Sequence, residues 1–230
     1  MNHRFITLAP SIMCADIAAL RNSIKELENI GIKTLHVDVI DGAFSPSMPL
    51  GVDTVKKIRD LTNLDLDVHI MSLNNEYFIN EMLQIGVQSI SFHIETSLHI
   101  DRHINLIKKH KVKAGVALNP ATSLSVLDYV LPSCDHVLLM LINPGFATDK
   151  NEQQVAYAAQ KVSDLKKRIN NKCLDTQIQV DGRVSLEKIP ALIQSGADSL
   201  VLGSTSLYIP GKTLLENKMA LDDIISNALA

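Results

Sequence analysis

The sequence predicts a single (β/α)8 TIM barrel, running from residue 1 to residue 230 as one domain. Three observations predict it. Short β-branched, apolar runs alternate with longer helical stretches along the whole chain. Glycines close helical stretches in a nearly repeated phrase. Imidazole and carboxylate side chains fall where the apolar runs end.

The runs are Ile6 to Ala9, Thr34 to Val39, Leu64 to Ile70, Ser89 to Phe92, Lys113 to Leu118, His136 to Leu141, Gln177 to Val180 and Ser199 to Leu202. Helical stretches lie between them at Ile17 to Ile30, Tyr77 to Ile85, Ile100 to His110, Val155 to Ile169 and Leu186 to Gln194. In one of these, Ile100, His103, Ile104 and Ile107 form a stripe at helical spacing, with charged residues opposite. Gly31, Gly86 and Gly196 each follow a helical stretch, in Ile-Gly-Ile-Lys-Thr-Leu, Ile-Gly-Val-Gln-Ser-Ile and Ser-Gly-Ala-Asp-Ser-Leu. A left-handed cap is wanted there, and glycine adopts it without a Cβ clash. Such alternation demands a parallel sheet, because each parallel crossover needs a helix. Eight units of about 29 residues suit a closed barrel, which typically has about 250. An open doubly wound sheet usually carries G-x-G-x-x-G after its first strand. Here the first run leads into Pro10-Ser11-Ile12-Met13.

Hydrophobic residues make up 46%, enough for a sizeable core, and charged residues 20%, too few for a disordered chain. A net charge of −3 argues against a nucleic-acid groove, which needs a basic face. The short run Lys166-Lys167-Arg168 reads as the solvated face of a helix. No stretch approaches the roughly 18 apolar residues of a membrane span, and the N-terminus lacks a signal peptide's apolar region. Cys14, Cys134 and Cys173 are odd in number and lack C-x-x-C spacing, which points to reduced thiols. The expectation is a cytoplasmic protein with no nucleic-acid or membrane partner.

Barrel chemistry sits at the C-terminal ends of the strands. Those ends carry Ser11; His36-Val37-Asp38; Asp67-Val68-His69-Ile70-Met71; His93; Asn119-Pro120; Met140, then Asn143-Pro144-Gly145-Phe146; Asp181-Gly182; and Gly203-Ser204. His36 and Asp38 are two apart on a strand and so face the same way. Inside a barrel neither is solvated cheaply, and a metal ion is one way to satisfy both. His69 and Asp181 offer the same ligand types at two other strand ends. Such a set suits Zn²⁺, Fe²⁺, Mn²⁺ or Co²⁺. Asp41 and Asp67 compete for the role, the latter facing the same way as His69. Taken singly, each residue has an ordinary reading: a lone strand-end histidine is commonly a core or loop residue, and an aspartate before glycine a turn signal. His93, His99, His103, His110 and His136 are read so, and His3 as part of a loose tail. The joint placement on three strands is what points to a metal.

Phosphate binding wants backbone N–H groups at close approach, often at a helix N-terminus, and barrel loops after the seventh and eighth strands supply it. Gly182, Gly203 and Ser204 occupy those loops, and Gly145 precedes a helix after the sixth strand. Three such loops on one rim predict an anion site. Arg183 reads as a forked phosphate donor or, the favoured reading, as a solvated loop residue.

Together, Pro10-Ser11-Ile12, His36-Val37-Asp38-Val39-Ile40-Asp41-Gly42, Phe44-Ser45-Pro46, Asp67-Val68-His69-Ile70-Met71, Leu118-Asn119-Pro120-Ala121-Thr122, Asn143-Pro144-Gly145-Phe146 and Val180-Asp181-Gly182 resemble the ribulose-phosphate 3-epimerase family, from about Ala9 to Ser204. The resemblance implies an isomerase that epimerises C3 of a phosphorylated ketose, converting D-ribulose 5-phosphate to D-xylulose 5-phosphate. It implies one divalent metal ion, zinc first, then iron, manganese or cobalt, held by His36, Asp38, His69 and Asp181. The two aspartates would also be the acid and base. Ser11 and His69 would lie near the substrate, Met71 and Met140 over its reacting face, and Gly145, Gly182, Gly203 and Ser204 around its far end. A homo-oligomer is implied as well. The sequence departs from the family pattern at Ile40, Ser47, Ala147-Thr148-Asp149 and Arg183. Its Gly203-Ser204-Thr205-Ser206-Leu207-Tyr208 looks more like the related allulose-6-phosphate 3-epimerases. Pentulose and hexulose phosphates therefore both stay open as substrates.

Removing a proton beside a ketone puts negative charge on the carbonyl oxygen, which a Lewis acid relieves. Inverting C3 then needs protonation from the opposite face, hence two acid–base groups around a planar intermediate. Asp38 is assigned as base and Asp181 as acid in one direction, with roles exchanged in reverse and their titrations coupled. Met71 and Met140 read equally as a polarizable lid or as core packing. A barrel decarboxylase would want a lysine among the strand-end acids, yet Lys33 sits before the second strand. A catalytically silent sugar-phosphate-binding barrel would bind its ligand without exchanging the C3 proton.

Overall fold

Eight parallel strands hydrogen-bond in the order β1-β8-β7-β6-β5-β4-β3-β2. They are β1 (Thr7–Pro10), β2 (Thr34–Ile40), β3 (Asp65–Met71), β4 (Ser89–His93), β5 (Lys113–Leu118), β6 (His136–Met140), β7 (Gln177–Asp181) and β8 (Ser199–Leu202). A bridge between Ser11 and His36 brings the two ends of the sheet together. The molecule, a computed structural model, is described at residues 5–147 and 149–230. His3 and Thr148 lie outside the described residues. The result is the expected (β/α)8 barrel. Among the described residues, no helix is long and apolar enough to cross a membrane.

Strand alternation sorts the side chains. Leu35, Val37 and Val39 of β2, and Leu66, Val68 and Ile70 of β3, join the buried apolar shell under the helices. The residues between them, His36, Asp38, Asp67 and His69, point the other way, toward the barrel axis. The helices are α1 (Leu20–Asn29), α2 (Val52–Leu61), α3 (Asn75–Ile85), α4 (Ile100–Lys109), α5 (Ala158–Asn171), α6 (Ile189–Ser195) and α7 (Leu214–Leu229). Each covers the shell with a stripe such as Val55 and Ile58 of α2, or Ile104 and Ile107 of α4. Gly31, Gly86 and Gly196 are all left-handed, at φ 83°, 82° and 117°.

Several boundaries differ from the sequence expectation. The carboxylate of Asp16 accepts the Ala18 N–H, holding Ile17–Ala19 as a 3-10 turn, so α1 starts only at Leu20. Two helices form that the periodicity leaves unassigned, α2 and α7. The second of these begins with a capping box between Thr213 and Glu216. After β5, two 3-10 turns at Leu124–Leu127 and Leu131–Ser133 stand in for a helix. Pro132 in the second is compatible with a turn and poor inside a helix.

One inward position has a strict size limit. Gly115 of β5 pairs in register with His136 of β6. A Cβ on Gly115 would lie 2.2 Å from His136 Nε2, and that ring is buried. Gly115→Ala therefore lowers stability by about 1–3 kcal/mol, the usual cost of overpacking. Denaturant unfolding checks this, and shortening the ring (Gly115→Ala with His136→Ser) restores part of the loss. Equal stability of the single variant and wild type would contradict the packing argument.

Candidate metal centre and active site

Four inward side chains from three strands meet at the C-terminal end of the barrel. One ligand atom each of His36, Asp38, His69 and Asp181 lies within 4.8 Å of all the others. These are the residues singled out from the sequence. Asp67, their competitor, supports the group from beneath. As a carboxylate it only accepts, so Nδ1–H of His36 donates to Asp67 Oδ2 at 2.9 Å. Gln179 steadies the same oxygen through its Nε2–H at 2.6 Å. The remaining ring nitrogen, His36 Nε2, is buried and has no hydrogen-bond partner. It faces Asp38 Oδ1 at 3.4 Å and Asp181 Oδ2 at 3.9 Å. A buried lone pair opposite two carboxylate oxygens calls for a cation between them. His69 Nδ1 faces the same two carboxylates, in hydrogen-bond contact with Asp38 Oδ1 at 3.3 Å and 3.8 Å from Asp181 Oδ2. Two imidazole nitrogens and two carboxylates fit a divalent first-row metal or Zn²⁺.

The electrostatics agree. Burial works against a charged His36, but the carboxylates of Asp38 and Asp67 outweigh it and raise its proton affinity well above the ordinary imidazole value. The same field favours any cation. Burial, helped by the neighbouring imidazoles, lowers His69 to about 4 despite the Asp38 contact, so its ring is neutral. Burial would raise Asp38, yet His36 and His69 hold it far below the usual carboxylate range. For Asp181 burial is the largest effect and the charge of Asp38 adds to it, pushing its carboxyl up to about 7. The two acids are thus driven apart, one ionised and one holding its proton.

Above the centre lies a cavity lined by Ser11, Met71, Met140, Gly145, Gly182, Gly203 and Ser204, alongside Asp38 and Asp181. The sequence-derived rim therefore assembles in one place. Ser11 Oγ–H donates to Asp38 Oδ2 at 2.7 Å. Gly182 has φ 106°, and a Cβ there would meet Ile142 at 2.6 Å, so only glycine suits this approach. The N–H groups of Ser206, Leu207 and Tyr208 all close on the Gly203 carbonyl, making a tight turn after β8. The helix that follows the Gly145 loop, expected from Val155, begins at Ala158, so no helix N-terminus stands beside Gly145 itself. A wider cavity of 670 Å³ opens at the opposite mouth of the barrel. The ligand cluster and the strand-end loops are not there, so the chemistry is assigned to the smaller one.

Three residues take roles that their types did not announce. His93, read as an ordinary histidine, places its Nε2 2.9 Å from His69 Nε2. Cys14 lines the cavity, its thiol raised to about 11 by burial and then by Asp38. Arg183 is not the solvated loop residue favoured from the sequence. It holds a left-handed backbone at φ 50°. Its guanidinium donates to the carbonyls of Glu152 (3.1 Å) and Asp149 (2.7 Å), tying the loops after β6 and β7 together. Arg183→Ala should speed deuterium exchange across 149–154 about tenfold, given the strength of charged hydrogen bonds. Unchanged exchange would show that the strap holds nothing. Asp41, the other competitor, is a turn former: its carboxylate accepts from Ala43, Phe44 and Leu73 N–H and from Ser72 Oγ–H. Among the described residues, no lysine lines the catalytic cavity, which disfavours a lysine-dependent decarboxylase.

Known proteins resemble this chain in sequence and in fold. The model of the Ribulose-phosphate 3 epimerase family matches residues 7–207. The ribulose-phosphate 3-epimerase of Bacillus subtilis (strain 168) is 42% identical over 200 residues, covering 86% of this chain and 91% of that protein. The chloroplastic ribulose-5-phosphate-3-epimerase of Arabidopsis thaliana is 38% identical over 201 residues, covering 86% of this chain and 70% of that protein. Among solved structures, 3-hexulose-6-phosphate synthase from Salmonella typhimurium superposes with a TM-score of 0.70 at 12% identity, over 97% of this chain and 100% of that one. At that identity the likeness speaks for the barrel alone. The family model and the close relatives decide the matter: this chain belongs to the Ribulose-phosphate 3 epimerase family.

Proposed function

We propose that this barrel, one domain over residues 1–230, interconverts D-ribulose 5-phosphate and D-xylulose 5-phosphate by moving a proton at C3. The observation that carries the reading is the buried, partnerless His36 Nε2 among three further ligand atoms within 4.8 Å. His36 Nε2, His69 Nδ1 and one oxygen each of Asp38 and Asp181 would hold a divalent metal, zinc first, with iron, manganese and cobalt as alternatives. When bound, the metal supplies Lewis-acid stabilisation of the negative charge that develops on the ketose oxygens.

The chain's own residues do the proton work. Asp38, kept ionised by the two imidazoles, removes the C3 proton. Asp181, which retains its proton through burial, delivers one to the other face. The reverse reaction exchanges these roles. Ser11 orients the Asp38 carboxylate. Met71 and Met140 exclude water above the reacting carbon. Gly145, Gly182, Gly203 and Ser204 receive the phosphate end, where small residues let the backbone approach. A homo-oligomer in the cytoplasm belongs to the same reading, and the free thiols of Cys14, Cys134 and Cys173 suit a reducing compartment.

The test is turnover of the zinc-loaded protein on two substrates, ribulose 5-phosphate and allulose 6-phosphate, followed by NMR. The pentulose should be converted with a kcat/KM at least about tenfold higher, on the scale of one altered polar contact. No conversion of either sugar would end the reading, and preference for the hexulose would overturn its substrate.

A further inference from the structure

We propose that His93 and Glu95 are positioning residues that fix His69 in the tautomer whose Nδ1 lone pair faces the metal centre. The inference rests on the metal reading above. It concerns how the chain prepares one ligand before any metal arrives.

Glu95 is the fixed end of the relay. Its carboxylate sits just past β4 and accepts hydrogen bonds on both oxygens. Asn119 N–H (2.7 Å) and Thr122 Oγ–H bind Oε1, while His93 Nδ1 lies 3.1 Å from Oε2. Burial would raise its pKa, but these bonds lower it to about 2, so it is an acceptor only. Nδ1 of His93 must then carry the proton. With Nδ1 committed to Glu95, His93 has Nε2 left for a neighbour, and the group facing it is His69 Nε2 at 2.9 Å. Ligation through Nδ1 requires His69 to carry its proton on Nε2, and His93 Nε2 is placed to accept it. Its Nδ1 then presents its lone pair to the space shared with Asp38 Oδ1, at 3.3 Å, and Asp181 Oδ2, at 3.8 Å.

The two histidine ligands are thus prepared from opposite ends of the ring. His36 donates Nδ1–H directly to Asp67 and presents Nε2. His69 donates Nε2–H to a second imidazole and presents Nδ1. The intermediate ring is held in place. Phe44 packs on His93 with ring centroids 4.6 Å apart, and both imidazoles are fully buried. The loop that anchors Glu95 is itself clamped, since Lys161 Nζ–H donates to the carbonyls of Asn119 and Pro120 at 2.8 Å each. A histidine that only filled space would not need this ordered chain of donors and acceptors. Outer partners of metal-bound histidines typically change metal affinity by about 10–100-fold.

The experiment uses full-length protein, with zinc affinity measured by chelator competition and ring tautomers read from ¹⁵N-histidine NMR of the metal-free form. Wild type should bind zinc and show His69 protonated at Nε2. Glu95→Gln and His93→Phe should each weaken zinc binding at least about tenfold and move the His69 nitrogen shifts toward the other tautomer. Thr122→Val, which removes a loop contact on the far oxygen of Glu95, should leave both readouts near wild type. Should His93→Phe fail to fold, Glu95→Gln decides alone, because its side chain is partly exposed. If wild type binds zinc and Glu95→Gln matches it in affinity and tautomer, the relay is overturned. Failure of wild type itself to bind zinc would instead overturn the metal reading on which the relay rests.

Discussion

Asp181→Asn lowers kcat at least about 10²-fold, the scale of a lost general acid–base group, while ribulose 5-phosphate still binds. Asparagine keeps an oxygen for the centre but cannot hold or deliver a proton. Asp181 is the group whose surroundings store that proton: it is buried, and it lies beside an Asp38 that the imidazoles keep ionised. Removing it should stop inversion without stopping proton removal by Asp38. The variant should therefore still exchange the C3 hydrogen of the epimer whose proton faces Asp38, with no second epimer formed. Asp38→Asn should be at least as slow, since it also disturbs the Ser11 bond and both histidine contacts. Steady-state turnover and deuterium incorporation by NMR check both variants. Normal turnover in either would contradict the assignment.

Stripping the metal, or replacing the ligand His36 with Asn, should cost on the order of 10³-fold in activity, because several kcal/mol of charge stabilisation disappear. The same ligand links metal to stability. A metal at a thousand times its Kd stabilises the fold by about 4 kcal/mol. For a domain of this size that raises Tm by about 10 °C. Wild type should show the rise on adding zinc, and His36→Asn should not. Protons compete for the same site, since His36 binds them well above the usual imidazole range. Zinc affinity should thus fall about tenfold for each pH unit below the His36 pKa, as one proton must leave. A thermal shift that survives in His36→Asn would remove this histidine from the centre.

Much of the site was legible because strand periodicity is rigid. A spacing of two put His36 and Asp38 on one face, and the same rule aligned Asp67 with His69. The helix-closing glycines Gly31, Gly86 and Gly196 were readable because a left-handed residue has few alternatives. What stayed hidden depended on contacts far apart in sequence. His93 meets His69 across 24 positions, and Arg183 reaches Asp149 across 34. Residue type alone cannot report such meetings. A signal was present at His93: it stands two residues before Glu95 on the strand beside β3. Helix α7 was missed for another reason. Its packing stripe is narrow, Leu221 and Ile225 being its buried apolar residues, so periodicity gave little contrast. Asp67 faced the right way yet serves as a support, a distinction made only by its 2.9 Å bond to His36.

Following the C3 hydrogen of ribulose 5-phosphate in D₂O tests the whole account most directly. Zinc-loaded protein should replace it with solvent deuterium as xylulose 5-phosphate forms. Metal-stripped protein should do neither, and one equivalent of zinc should restore both. Epimerisation that keeps the original hydrogen, or that runs at full rate in protein shown to be free of metal, would contradict it.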